Sequence, residues 1–91
     1  MIVNVLPSKD DFKKEIEHQI DIARSNGANY IDINSGDIHR KLGGYPGKDG
    51  KHAMPSCCDA MYSLKKPNDE ILIAPPKGKG ATLEIRFYII I

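Results

Sequence analysis

Cysteine is scarce in this chain of 91 residues, and long apolar runs are missing from it. Only two cysteines occur, and they are adjacent at positions 57 and 58. Because adjacent cysteines cannot cross-link distant segments, a disulfide scaffold is excluded and a reducing cytoplasm is the expected location. No apolar run approaches the roughly 18 residues that a membrane span needs. Residues 1–6 lack the basic region and the cleavage site of a signal peptide, so no secretory signal is expected.

The length supports one small domain, so residues 1–91 are expected to fold as a single unit. The net charge is only +1, but it is unevenly distributed. Residues 1–37 hold four basic and seven acidic side chains, and residues 38–91 hold nine basic and five acidic ones. A basic second half is compatible with nucleic-acid binding, and a chance imbalance on a solvated surface, without a partner, is the alternative.

The spacing of apolar residues predicts a helix over about residues 9–26. The apolar side chains recur every three or four residues and form one stripe, while charged side chains lie off it. Ser8 and Asp11 are placed to form a capping box, and Gly27 is placed for the left-handed position after the helix. Alternating apolar and polar residues then predict a short strand over residues 30–34.

Two further helices are predicted in the middle of the chain. Ser35 is expected to cap the second helix, which ends at a pair of glycines. The third helix is expected to start near Pro55 or Ser56, with Ser56 and Asp59 as another capping box. A glycine-rich loop of about ten residues separates the two helices.

The end of the chain predicts a β-hairpin. Residues 70–74 are expected to form one strand, and the alternation over residues 82–89 predicts the other. Their connection, residues 75–80, holds prolines, glycines and two lysines, which makes it a basic tip. In the second strand, the side chains expected inside are Leu83, Ile85 and Phe87, and those expected outside are Glu84 and Arg86.

The order of these elements (helix, short strand, helix, helix, hairpin) resembles the winged-helix variant of the helix-turn-helix, an α+β fold. The resemblance covers residues 9–91 and is carried by the element order and by the basic tip of the hairpin. It implies that the third helix enters the major groove of DNA, and that the hairpin, or wing, touches the phosphate backbone or the minor groove. The turn before the third helix is longer than the usual three or four residues, a lengthening that winged helices often have.

Two segments beside the long turn, His39–Gly47 and Met54–Met61, are also similar to parts of small bacterial domains of uncharacterised proteins. Some of those domains lie near restriction-type nucleases. This similarity does not assign a catalytic role to any residue of the chain. The two resemblances together imply a small bacterial or phage regulator, or the part of a defence system that reads DNA.

A surface for duplex DNA needs cations for phosphates and polar groups for base edges. The third helix supplies polar side chains, while the second helix, the long loop and the wing supply basic ones. Tyr45 is placed either to stack on a sugar or base or to pack the loop against the second helix. A protein-docking module of the same fold, without nucleic acid, is the alternative. The candidate DNA-binding residues are Arg40, Lys41, Lys48, Lys51, His52, Ser56, Asp59, Ser63, Lys66, Lys77 and Lys79.

Zinc binding and catalysis are the chemical alternatives, and both use His39, His52, Cys57 and Cys58. Structural zinc sites use spaced cysteine pairs, whereas adjacent cysteines on a helix point about 100° apart. A thiol and a histidine can act as nucleophile and base, but no clustered acidic metal ligands accompany them, and a short chain has little room for a cleft. We therefore expect no metal, no cofactor and no enzymatic activity, with reduced cysteines that face the core.

The last five residues, Phe87–Ile91, are unusually apolar for the end of a chain. Such a run is expected to pair with another strand, with residues 2–5 or with a second copy of the chain. A homodimer is therefore a further expectation.

Overall fold

The computed structural model describes residues 7–43 and 53–89, and these ranges contain three helices and three strands. The protein is an α+β fold, which is the predicted class. Each element begins and ends within about two residues of its predicted limits. In chain order the elements are α1 (Lys9–Ser25), β1 (Tyr30–Asn34), α2 (Ser35–Leu42), α3 (Met54–Leu64), β2 (Glu70–Ile73) and β3 (Glu84–Tyr88).

Both ends of α1 have the predicted local chemistry. The Ser8 hydroxyl accepts from the Asp11 amide, and the Asp11 carboxylate accepts from the Ser8 amide. These bonds also lower the pKa of Asp11. At the other end, Gly27 has a φ of 78°, a conformation that glycine adopts without steric cost.

The cap of α2 lies one residue earlier than predicted. Asn34, not Ser35, is the N-cap, and its side-chain oxygen accepts from the Asp37 amide at 3.0 Å. Ser35 is fully buried as the first residue of the helix, and its hydroxyl donates to the Gly80 carbonyl. The prediction was wrong because a contact distant in sequence uses the hydroxyl that could have capped the helix.

The start of α3 lacks the predicted capping box. Its N-cap is Ala53, which has no capping side chain, and Pro55 lies in the first turn, where a missing amide hydrogen costs little. Asp59 does not bond back to Ser56; its carboxylate lies 2.8 Å from the Lys79 ammonium. The tertiary ion pair therefore replaces the local bond that the sequence suggested.

The sheet has β3 in its centre, with the order β1-β3-β2 and antiparallel pairing on both sides. β1 pairs with β3 along its whole length. β2 pairs with β3 as the predicted hairpin, but its register shifts between Ile71 and Ile73.

The core consists of the apolar stripes of the helices and the inward side chains of β1 and β3. Leu83, Ile85 and Phe87 are buried as predicted. Glu84 and Arg86 are half-buried, not exposed, because β3 has a neighbouring strand on each side. None of the helices in the described part of the chain is both long enough and apolar enough to cross a membrane.

On the outer face of the sheet, side chains of β1 partly cover Arg86 of β3. Its guanidinium donates to both carboxylate oxygens of Asp32, at 2.7 and 3.0 Å. It also lies 4.1 Å from the centre of the Tyr30 ring, a cation–π contact. The arginine therefore links β3 to β1 on this face of the sheet.

Candidate nucleic-acid interface

The loop between β2 and β3, residues 74–83, lies against α3 and is called the hairpin loop below. The Tyr62 hydroxyl donates to the Gly78 carbonyl. The Cys58 thiol donates to the Gly80 carbonyl at 3.4 Å and accepts from the Gly80 amide at 3.3 Å. The basic tip is therefore docked on the helix, and the two form one continuous surface.

The first turn of α2 makes backbone hydrogen bonds to the other side of the hairpin loop. The Ser35 amide donates to the Leu83 carbonyl at 2.8 Å, and the Gly36 amide donates to the Ala81 carbonyl at 3.1 Å. A Cβ at Gly36 would lie 2.8 Å from the Ala81 oxygen, so only glycine permits this approach. Helix N-termini often bind phosphate through such amides, but these two already have partners within the chain.

Lys79 and Asp59 form an ion pair at the junction of the hairpin loop and α3. Their charged atoms are 2.8 Å apart, and both side chains are about half exposed, at 48% and 42%. The hydrogen bond that the Lys79 ammonium donates to Asp59 raises the pKa of Lys79, so the lysine remains a cation. Its charge is nevertheless offset by the Asp59 carboxylate. The sequence did not indicate this pairing.

Most of the described basic candidates are paired in this way. Of the five, counting Lys79, four have a carboxylate within 4 Å, and these four basic side chains are 43–58% exposed. The pairs of Lys79 with Asp59 and of Arg40 with Asp37 are exposed on both sides and contribute little stability, so a phosphate can compete for these two cations. The carboxylates beside Lys66 and Lys41 are buried or nearly buried, so these two cations are held more firmly. Besides Lys79 with Asp59, the pairs are Arg40 with Asp37 at 2.8 Å, Lys66 with Asp69 at 3.0 Å and Lys41 with Glu15 at 3.6 Å.

Lys77 differs from the other four basic candidates. It is exposed in the hairpin loop and has no carboxylate partner among the described residues. On α3, Ser63 is exposed and Ser56 is half-buried. Within the described part of the chain, Lys77 and Ser63 are thus predicted site residues that are exposed and are not held in an ion pair.

Four of the residues singled out in the sequence lie outside the described residues. They belong to the segment between α2 and α3, and their roles stay predictions. They are Tyr45, Lys48, Lys51 and His52.

The two cysteines are free and buried, as predicted. The Cys57 thiol donates to the Ser35 carbonyl at 3.4 Å. Burial and the neighbouring Cys58 raise the pKa of Cys57 to about 12, and burial also raises the pKa of Cys58. Both thiols are therefore protonated near neutral pH, a state that is a poor nucleophile and a poor metal ligand.

His39, considered above as a zinc ligand or a base, is fully buried. Both of its ring nitrogens lie within hydrogen-bond distance of backbone atoms, those of Gly43 and Ala53. Within the described ranges, no group of three or more His, Cys, Asp or Glu side chains is placed to hold a metal ion.

The apolar end of the chain was expected to pair with another strand, with residues 2–5 or with a second copy, and as far as Tyr88 it pairs with β1 of its own sheet. Phe87 and Ile89 are buried in the core of their own chain, and residues 90–91 lie outside the described part. Within the described ranges, three of the exposed large apolar side chains lie on β2, at Ile71, Leu72 and Ile73, and Ile22 and Tyr30 are exposed elsewhere.

Comparison of the chain with protein-family models, with curated proteins and with solved structures found no match.

Proposed function

We propose that the protein is a winged-helix domain that binds double-stranded DNA, with α3 in the major groove and the hairpin loop on the phosphate backbone. The observation that carries the proposal is the junction of α3 with the hairpin loop. The contacts of Tyr62, Cys58 and Asp59 with that loop hold a basic tip beside the exposed side of the helix. The element order and the sheet order β1-β3-β2 support the same fold.

The proposal assigns different tasks to the two parts of this surface. Lys77 contacts a phosphate, because its ammonium is exposed and needs no other role. Ser63, exposed on α3, reaches a base edge. Lys79 contributes less than Lys77 because Asp59 already offsets its charge.

Salt-dependent duplex binding tests the proposal directly. Fluorescence anisotropy with a random-sequence duplex should give an affinity that falls steeply between about 50 and 200 mM salt. Lys77→Ala should weaken binding to all sequences alike and reduce the slope of log affinity against log salt by roughly 1. Lys9→Ala, an exposed lysine at the start of α1, is the control and should leave the slope unchanged. Unchanged anisotropy for the wild type at the lowest salt would rule the proposal out.

Asp59→Asn gives a second and opposite test. It removes the carboxylate that offsets Lys79, so the freed ammonium should strengthen DNA binding and increase the salt slope by roughly 1. The matched control is Asp21→Asn, which breaks a similar exposed pair with Arg24 on α1, 2.7 Å apart, and should leave binding unchanged. Equal effects of the two substitutions would show that general charge, not this site, governs the affinity.

A protein-docking module is the alternative, and a separate observation favours it. β2 is an edge strand whose Ile71, Leu72 and Ile73 are 39–50% exposed. Exposed apolar side chains on an unpaired strand edge are typical of surfaces that another chain covers. This alternative predicts that the wild type binds no duplex at about 50 mM salt, and that Lys77→Ala has no effect on function.

A further inference from the structure

His39 is a buried titratable group that the proposed function does not use. Its ring is fully buried on α2 and lies against the Phe12 ring of α1, with the ring centres 5.0 Å apart. A buried polar ring is stable only when its nitrogens have hydrogen-bond partners.

The partners fix which nitrogen carries the proton. The Ala53 amide donates to Nε2 at 3.0 Å, so Nε2 must present its lone pair. Nδ1 lies 3.1 Å from the Gly43 carbonyl oxygen, which can only accept, so Nδ1 must carry the hydrogen. The geometry therefore requires a neutral ring with the proton on Nδ1.

The two backbone partners belong to different helices. Gly43 is the C-cap of α2, and Ala53 is the N-cap of α3. α3 has no capping side chain of its own, so the His39 ring supplies an acceptor at the start of that helix. One imidazole thus joins the end of one helix to the beginning of the next.

We propose that His39, as the neutral Nδ1–H tautomer, is a positioning residue that fixes the start of α3 against the end of α2. It thereby sets how the exposed side of α3 faces a duplex, and this second step rests on the proposed DNA binding. In His39→Gln, the side-chain amide oxygen can replace Nε2 as the acceptor for the Ala53 amide, but no donor remains at the position of Nδ1 beside Gly43. In His39→Leu, both hydrogen bonds are lost.

The ring nitrogens give a test in the wild-type protein without any variant. Nitrogen-15 NMR correlations of the imidazole should show hydrogen on Nδ1 of His39 and a hydrogen-bonded, unprotonated Nε2 near neutral pH. His18, exposed on α1, is the reference within the same chain. Hydrogen on Nε2 of His39 would overturn the proposal, because the Ala53 bond could not then form.

Amide exchange and DNA affinity test the positioning role. The Ala53 amide should exchange about five- to tenfold faster in His39→Leu than in His39→Gln, the effect of losing one hydrogen bond. Duplex affinity should fall at least about tenfold in His39→Leu and recover in part in His39→Gln. His18→Gln is the matched control and should change neither quantity.

The outcomes separate this inference from the proposed function. Equal Ala53 exchange in the Leu and Gln variants contradicts the positioning role, whatever the DNA result. Unequal exchange, in a protein whose wild type binds no duplex, supports the positioning of α3 and removes only the DNA step. If His39→Leu does not fold, the tautomer of His39 in the wild type still decides.

Discussion

The two strands that flank β3 place the same residue type beside the same partner but bury it to different extents. Ile33 of β1 and Ile71 of β2 both lie opposite Ile85 in the antiparallel register. Ile33 is 2% exposed, whereas Ile71 is 43% exposed. The difference arises because α1 and α2 contact β1, whereas β3 is the main neighbour of β2.

Strand pairing alone therefore does not bury a side chain in this fold. β1 belongs to the hydrophobic core, but β2 is attached through polar groups at its start. The buried Asp69 carboxylate accepts from the Tyr88 amide at 2.9 Å and from the Lys66 amide at 2.8 Å. These bonds connect the end of α3 to β3 and so determine where β2 begins.

The largest expected loss of stability comes from a substitution in β3, the strand that pairs with both β1 and β2. Phe87 is fully buried on the inward side of β3, so Phe87→Ala should lower the free energy of unfolding by about 3–5 kcal/mol. Urea unfolding followed by circular dichroism measures this loss. Phe87→Leu, which leaves a smaller cavity, should lose less. A loss below about 1 kcal/mol for the alanine variant would contradict the burial of Phe87 in the hydrophobic core.

The sequence predicted the elements because their signals are local. The apolar period of α1, its capping box and the alternation on β3 each depend on residues a few positions apart. Periodicity also indicated that Cys57 and Cys58 face the core.

The docking of the hairpin loop could not be predicted in this way. Tyr62 and Gly78 are 16 residues apart, and Ser35 and Gly80 are 45 residues apart. No spacing rule connects such residues. The ion pair of Asp59 with Lys79 was missed for the same reason, since a capping box is the local alternative for that carboxylate.

A moderate effect is expected where β2 is attached through Asp69. Asp69→Asn replaces one carboxylate oxygen with an NH₂ group, so one of the two backbone amides loses its acceptor. The expected loss in the free energy of unfolding is roughly 1–3 kcal/mol at neutral pH. Asp10→Asn, an exposed carboxylate on α1, is the control and should stay within about 0.5 kcal/mol of the wild type.

The pH dependence of that loss identifies the carboxylate as its source. Burial tends to raise the pKa of Asp69, but the amides of Lys66 and Tyr88 and the Lys66 ammonium outweigh it, so the pKa lies below its ordinary value of 3.8. A lowered pKa stabilises the fold above the ordinary value, and this contribution disappears as the pH falls through the lowered pKa. The stability difference between wild type and Asp69→Asn should therefore be constant above about pH 5 and shrink in more acidic solution. A difference that grows on acidification would contradict the assignment.

The smallest expected effect tests the comparison of β1 with β2 most directly. Ile33→Val and Ile71→Val each remove one methylene group, keep the branched Cβ that suits a strand, and lie opposite the same Ile85. Ile33→Val should lower the free energy of unfolding by about 0.5–1.5 kcal/mol, because it leaves a cavity between the sheet and the helices. Ile71→Val should stay within about 0.5 kcal/mol of the wild type, because water already contacts that side chain. Chemical denaturation at low protein concentration measures both values.

If β2 is covered by a second copy at higher concentration, the loss of stability caused by Ile71→Val should rise with concentration and that caused by Ile33→Val should not. Equal costs for the two substitutions at low concentration would mean that pairing with β3, not cover by the helices, determines the burial of its neighbours.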